Sequence, residues 1–132
     1  MNIILCLDDK NGILFNKRRL SRDRVLCERV VALASGKRLL MNEYSSGLFE
    51  GYDVVADENF LQNAQKGDYC FVESADFTAY SEKIEDVIIY RWNRVYPSDV
   101  KTDASFLEGR AVASAEDFCG SSHDKITEVV YR

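Results

Sequence analysis

Short apolar runs alternate along this chain with stretches in which apolar residues recur at helical spacing. The runs are rich in aliphatic and aromatic residues and are bounded by turn-forming residues, a pattern typical of buried strands. They cover residues 3–7, 37–41, 69–72 and 87–90. Four strands of a sheet are therefore predicted.

The stretches between these runs predict helices. Leu26, Val30 and Leu33 fall on one helical face after Ser21, a preferred N-cap residue, and Ser35-Gly36 supplies a stop, so we predict a helix over 21–35. Two shorter helices are predicted in the same way. One follows Asp57 as its cap, carries Phe60, Leu61 and Ala64, and stops at Gly67; the other places Phe77, Tyr80 and Ile84 on one face.

The end of the chain has a different pattern. Residues 110–118 and 125–131 read as two extended segments joined by 120–124, and the second alternates in side-chain character, which predicts an antiparallel hairpin at the sheet edge. Strands that alternate with helices form right-handed βαβ units. The whole chain, 1–132, is thus predicted to be a single three-layer α/β domain with a mostly parallel sheet. Its expected core residues are Leu26, Val30, Leu33, Leu40, Val72 and Ile88.

Composition and charge narrow the function classes. The chain is 46% hydrophobic and 30% charged, with a net charge of -5, which argues against binding nucleic acid through general electrostatics. We expect no membrane span and no signal peptide, because the apolar runs are short. The cysteines are far apart among apolar neighbours, which favours buried thiols in a cytoplasmic protein and no metal centre. They are Cys6, Cys27, Cys70 and Cys119.

One basic segment precedes the long predicted helix. Arg18, Arg19, Arg22 and Arg24 flank Asp23 close to the helix N-terminus, where free N–H groups and the helix dipole favour an anion. The segment predicts either a phosphate or carboxylate site, or arginines that pair with the protein's own acids.

Polar side chains also follow the predicted strands. Ligands of open α/β sheets bind at the carboxyl ends of the strands, and turn geometry or helix capping accounts equally for the same residue types. Trp92 ends a strand and is able to stack a planar ligand or to pack in the core. The candidates at these ends are Asp8, Asn42, Tyr44, Ser45 and Trp92.

The lone histidine, His123, lies next to Ser122 in the hairpin turn. Adjacent Ser and His residues on a hairpin rarely reach nucleophile–base geometry, and no G-x-S-x-G motif is present, so we interpret His123 as a turn residue. No catalytic residue is assigned from the sequence.

The order of elements resembles the dihydrofolate reductase fold. The strand at 3–7, the loop 8–20, the helix 21–35 and the strand 37–42 correspond to its first half, and 67–132 to its second. The resemblance implies a ligand cleft at the strand ends and an acidic residue near Asp23. It also implies a Gly-Gly cofactor turn after 69–72, where this chain has Glu73-Ser74-Ala75.

A second resemblance concerns a group of small bacterial proteins, some of which are labelled ribonuclease Z. It rests on the stretches 6–16, 66–73 and 120–127. A dizinc ribonuclease needs several histidine ligands, and this chain has one histidine. The sequence therefore excludes that activity.

Together these observations favour a protein that binds a small anionic or nucleotide-like ligand in a cleft at the strand ends. Its cofactor is not indicated by the sequence. Two alternatives stay open: an NADPH-dependent reductase of the dihydrofolate reductase type, and a non-catalytic interaction module, such as a homodimer formed through the hairpin edge.

Overall fold

A computed structural model describes residues 1–132. The strands are β1 (Asn2–Leu7), β2 (Gly12–Phe15), β3 (Arg18–Arg19), β4 (Leu39–Met41), β5 (Val55–Ala56), β6 (Tyr69–Phe71), β7 (Val87–Arg91), β8 (Val100–Lys101), β9 (Val112–Phe118) and β10 (Ile126–Tyr131). The helices are α1 (Arg24–Leu33), α2 (Glu43–Ser46) and α3 (Phe60–Asn63), with 3₁₀ segments at Gly47–Phe49, Thr78–Lys83 and Ala104–Leu107. None of these helices has the length and apolar character needed to cross a bilayer.

Seven strands form the main sheet in the order β5-β4-β6-β1-β7-β10-β9. The first five in this order pair in parallel, and β10 runs antiparallel to both β7 and β9. The predicted mostly parallel α/β sheet with a C-terminal antiparallel hairpin is confirmed.

The two faces of the sheet bury separate cores, because successive side chains of a strand point to opposite faces. Ile3, Leu5 and Leu40 belong to the core that α3 covers, whereas Ile4 and Ile88 pack with α1 in the other. Five of the six predicted core residues are buried. Leu33 is only partly buried, because it lies at the C-terminal end of α1.

The predicted loop 8–20 instead contains β2 and β3, which belong to a second, three-stranded sheet in the order β3-β2-β8. Its tight turn places Asn16 and Lys17 at φ 50 and φ 63. Turns with two residues at positive φ usually contain glycine. Because the second position here is lysine, this turn was not predicted from the sequence. These strands are also short, so that no alternating pattern develops.

Three smaller predictions were wrong in detail. The α1 N-cap is Asp23 rather than Ser21, since the Asp23 side chain reaches the Leu26 N–H. The helix predicted around Phe77 to Ile84 is a 3₁₀ segment with a kink at Tyr80. Cys119 is exposed, because it follows the edge strand β9.

Candidate functional site

A narrow cleft lies where the carboxyl ends of β1, β6 and β7 meet the segment 19–23. Its interior measures about 10 Å³, which is space for about one water molecule. One wall is apolar and includes Leu26, Leu48 and Phe71, and the polar groups at the rim are Arg19, Ser21, Arg22, Asp23 and Glu73. Ligand sites usually enclose about 300–1,000 Å³, so a ligand at this cleft would lie mainly outside its interior.

Glu73 and Arg19 close one side of this cleft. The Arg19 guanidinium donates two hydrogen bonds to the Glu73 carboxylate, at 2.9 and 3.0 Å, and Ser45 Oγ donates a third at 2.8 Å. Burial alone would lower the pKa of Arg19, but the hydrogen bonds and charge of Glu73 outweigh burial and raise this pKa. Arg19 also stacks on the Tyr44 ring at 4.5 Å. Because Arg19 is already paired with Glu73, it is not free to bind an anion from solution.

The Glu73→Gln variant is expected to lose about 1.5–3 kcal/mol of unfolding free energy, since it removes charge-assisted hydrogen bonds from a mostly buried pair. Chemical denaturation followed by circular dichroism measures this loss. The matched control is Glu28→Gln, which breaks the exposed pair between Glu28 and Arg24 and should change stability by less than about 0.5 kcal/mol. Equal losses in the two variants would contradict the structural role given to Glu73.

His123 contacts two residues of the cleft lining, Asp23 and Ser21. Its Nδ1 lies 3.0 Å from Asp23 Oδ2, and its Nε2 lies 2.9 Å from Ser21 Oγ and 3.1 Å from the Tyr96 hydroxyl. The Trp92 ring stacks against the imidazole with centroids 4.6 Å apart. His123 is thus in the hairpin turn, as predicted, but it is buried there and held through both ring nitrogens.

Asp23 is saturated by donors from two parts of the chain. Its carboxylate accepts from the N–H of Leu26 at 3.1 Å, of Ser121 at 3.0 Å and of Ser122 at 2.9 Å. Burial would raise the pKa of Asp23, but these bonds and the one from His123 outweigh burial and place this pKa well below its usual range. Asp23 therefore joins the start of α1 to the β9–β10 turn as an ionised carboxylate.

Two other candidates from the strand ends, Asp8 and Asn42, serve local geometry. Asp8 accepts from the N–H groups of Lys10, Gly12 and Tyr96 at 2.9, 2.7 and 3.0 Å, which shapes the turn after β1. Asn42 caps α2 by accepting from the Ser45 N–H. These contacts match the turn and capping interpretations that the sequence left open.

The arginines of the basic segment divide into two groups. Arg19 and Arg24 pair with Glu73 and Glu28. Arg18 and Arg22 are exposed and form no salt bridge. Of the two unpaired guanidinium groups, that of Arg22 lies at the rim of the cleft.

The sequence did not point to Ser21, Glu73, Tyr96 or His123 as members of one site. Ser21 and Tyr96 meet at His123 across separations of 102 and 27 residues, and no local spacing signals such contacts. Nowhere in the structure do three His, Cys, Asp or Glu side chains come close enough together to hold a metal ion.

Comparison with known proteins defines the fold. No protein-family model matches the sequence, and no curated protein sequence matches it significantly. Among solved structures, the chain is similar to dihydrofolate reductase from Enterococcus faecalis complexed with NADP(H) and RAB-propyl, with a TM-score of 0.71. The match covers 99% of this chain and 94% of that chain at 8% sequence identity.

The chain is thus an α/β protein built on a mostly parallel sheet with an antiparallel terminal hairpin. More specifically, it has a dihydrofolate reductase-like fold. At this sequence identity the similarity concerns the fold alone.

Proposed function

We propose that this protein binds a small anionic ligand in the cleft between segment 19–23 and the carboxyl ends of β1, β6 and β7. The observation that carries the proposal is Arg22. Arg22 is exposed at the rim of the cleft, and it forms no salt bridge with a carboxylate. An anion placed there would gain charge-assisted hydrogen bonds worth about 1.5–3 kcal/mol each.

The space beside Arg22 supports a ligand larger than a single ion. A wider groove of about 480 Å³ continues from the cleft, and its polar lining is Arg22, Asp23, Arg24, Glu50, Tyr52, Ser121 and Ser122. Arg24 is already paired with Glu28, so Arg22 is the cation of this groove that is free for a phosphate or carboxylate group. The hydroxyl groups and the Tyr52 ring are suited to the rest of a small molecule. We place the anionic end at Arg22 and the rest of the ligand along this groove.

The reductase alternative is favoured by the fold and disfavoured by two features of the site. Both oxygens of Asp23 are already used within the protein, so this carboxylate has little capacity left for a pterin. The groove beyond Glu73 is also lined by Asp76 and Asp103, whose charges repel the phosphates of a dinucleotide. A small anion at Arg22 needs neither a free Asp23 oxygen nor the groove beyond Glu73.

A thermal-shift series with inorganic phosphate, nucleotides, pterins and NADPH tests the proposal. A ligand that binds only the native state at 100 times its Kd stabilises the protein by about 2.7 kcal/mol. We expect phosphate or a nucleotide to raise the melting temperature of the wild type and of Arg24→Gln, which serves as the matched control. Arg22→Gln should abolish the rise.

Two results would count against the proposal. One is an equal rise in the wild type and in Arg22→Gln, which would place the anion elsewhere. The other is stabilisation by NADPH or a pterin alone, which would favour the reductase. A protein that responds to none of these ligands would instead favour the interaction module.

A further inference from the structure

We infer that Ser21 is the nucleophile of an acyl-transfer site that hydrolyses small carboxylic esters, with His123 as its base and Asp23 as the residue that positions His123. The inference rests on the proposed function for one feature, the binding of an anionic part of the ester at Arg22. The geometry of the three residues is independent of that feature. It comes from the contacts of His123 alone.

The backbone of segment 21–23 places two partners on the same histidine. Asp23 has extended dihedral angles, φ -153 and ψ 126, and in extended backbone residues i and i+2 point to the same side. Ser21 and Asp23 therefore face the imidazole together, with Ser21 Oγ 2.9 Å from Nε2 and Asp23 Oδ2 3.0 Å from Nδ1. Both distances lie within the range for a nucleophile, its base and the group that orients the base.

The charge state of Asp23 fixes the role of each ring nitrogen. An ionised carboxylate only accepts hydrogen bonds, so Nδ1 of His123 carries the proton that it donates to Asp23. In the neutral imidazole, Nε2 is then the acceptor, and it faces the hydroxyls of Ser21 at 2.9 Å and of Tyr96 at 3.1 Å. This tautomer is the one that a serine nucleophile requires of its base.

The first step forms the acyl enzyme. Ser21 Oγ attacks the carbonyl carbon of the ester while its proton moves to His123 Nε2, and a tetrahedral oxyanion results. When the oxyanion collapses, the bond to the alkoxy oxygen breaks and the alcohol leaves with the proton from Nε2. Water then attacks the acyl group, gives a proton to Nε2 and releases the carboxylic acid; the proton returns to Ser21.

The surroundings of Ser21 indicate the class of ester. The interior of about 10 Å³ holds no more than a water molecule, so the ester lies outside it. Arg22 beside the nucleophile favours an anionic substituent on the alcohol part. The N–H groups of Ser21 and Arg22 form no backbone–backbone hydrogen bond. These two donors are therefore available to the oxyanion, as backbone N–H groups are in other acyl-transfer sites.

A fluorophosphonate probe tests the nucleophile directly, because it forms a stable phosphonyl ester with an activated serine and releases fluoride. Intact-mass spectrometry of the wild type should show one adduct per chain, and peptide mapping should locate it on Ser21. Ser21→Ala should show none. The matched control Ser35→Ala, an exposed serine just beyond the other end of α1, should be labelled like the wild type.

The rate of labelling by the same probe tests the role of His123 as the base. His123→Gln should slow labelling by about 10²–10⁴-fold, the usual contribution of a general base, and the melting temperature of each variant is measured to establish that it is folded. If His123→Gln does not fold, the labelling of Ser21→Ala still decides whether Ser21 is the nucleophile.

The failure of this inference is distinguishable from failure of the proposed function. A folded wild type that gains no adduct, or an adduct that persists in Ser21→Ala, would overturn the nucleophile whether or not Arg22 binds anions. An adduct on Ser21 that forms at the same rate in Arg22→Gln, without any anion-induced thermal shift, would support the nucleophile and overturn the anion site.

Discussion

Replacing Asp23 by Asn is expected to lower the free energy of unfolding by about 3–5 kcal/mol, the usual loss when one partner of a buried charged network is removed. Asn supplies one acceptor oxygen where the carboxylate supplies two. The N–H groups of Ser121 and Ser122, the α1 cap and the His123 imidazole all depend on Asp23. Urea denaturation at pH 7 measures the loss.

The control for this variant is Asp57→Asn. Asp57 also accepts a backbone N–H, that of Asn59 at 2.8 Å, and the Asn63 amide at 2.7 Å, but it lies in an exposed turn. Its loss should cost about 1 kcal/mol, typical of an exposed cap. A loss below about 1 kcal/mol in Asp23→Asn would contradict the conclusion that Asp23 joins the start of α1 to the β9–β10 turn.

The stability lost in Asp23→Asn should depend on pH in a defined direction. The pKa of Asp23 is depressed in the folded protein, so its contribution is fully present above the unfolded-state pKa of about 3.9 and is lost as pH falls towards the folded-state pKa. The difference between wild type and variant should therefore be constant from about pH 7 to pH 5. This difference in unfolding free energy should narrow below about pH 4. A difference that widens there would contradict a depressed pKa for Asp23.

The second large effect concerns the two cores. Leu40→Ala and Ile88→Ala should each lower the free energy of unfolding by about 2–5 kcal/mol, since each side chain is at most 2% exposed and truncation leaves a cavity. The two residues lie in the cores on opposite faces of the sheet. The double variant should therefore lose close to the sum of the single losses.

Leu33→Ala is the matched control, because Leu33 is only partly buried at the end of α1. It should lose clearly less than either core variant. Urea denaturation of the wild type and the four variants under one condition gives the comparison. Similar losses for Leu33 and Leu40 would contradict their different burial, and a double-variant loss far from the sum would mean that the sheet does not separate the two cores as described.

The main sheet was predictable because its central strands are continuous apolar runs. β1, β6 and β7 are buried on both faces, so each has a strong signal that does not depend on the rest of the chain. The same applies to the face of α1 that carries Leu26 and Val30. Pattern alone was therefore enough to order the elements and to indicate the dihydrofolate reductase-like fold.

The site was less predictable, because its contacts join distant residues. Asp23 and His123 are 100 residues apart, and Arg19 and Glu73 are 54 apart. Ser21 and Asp23 are both good N-cap residues, and the chain uses Asp23 because the hairpin turn supplies further donors to it. The sequence named Arg22 and Asp23 as neighbours in a site, but their different roles depend on which partners the fold brings to them.

A phosphate titration of ¹⁵N-labelled protein, followed through the arginine Nε–Hε NMR signals, measures the anion site most directly. Variants Arg22→Gln and Arg24→Gln assign the two signals by their absence. The Arg22 signal is expected to shift saturably with phosphate, while the Arg24 signal, from a guanidinium already paired with Glu28, changes little. An Arg22 signal that does not move, or that moves no more than that of Arg24, would contradict anion binding in the cleft.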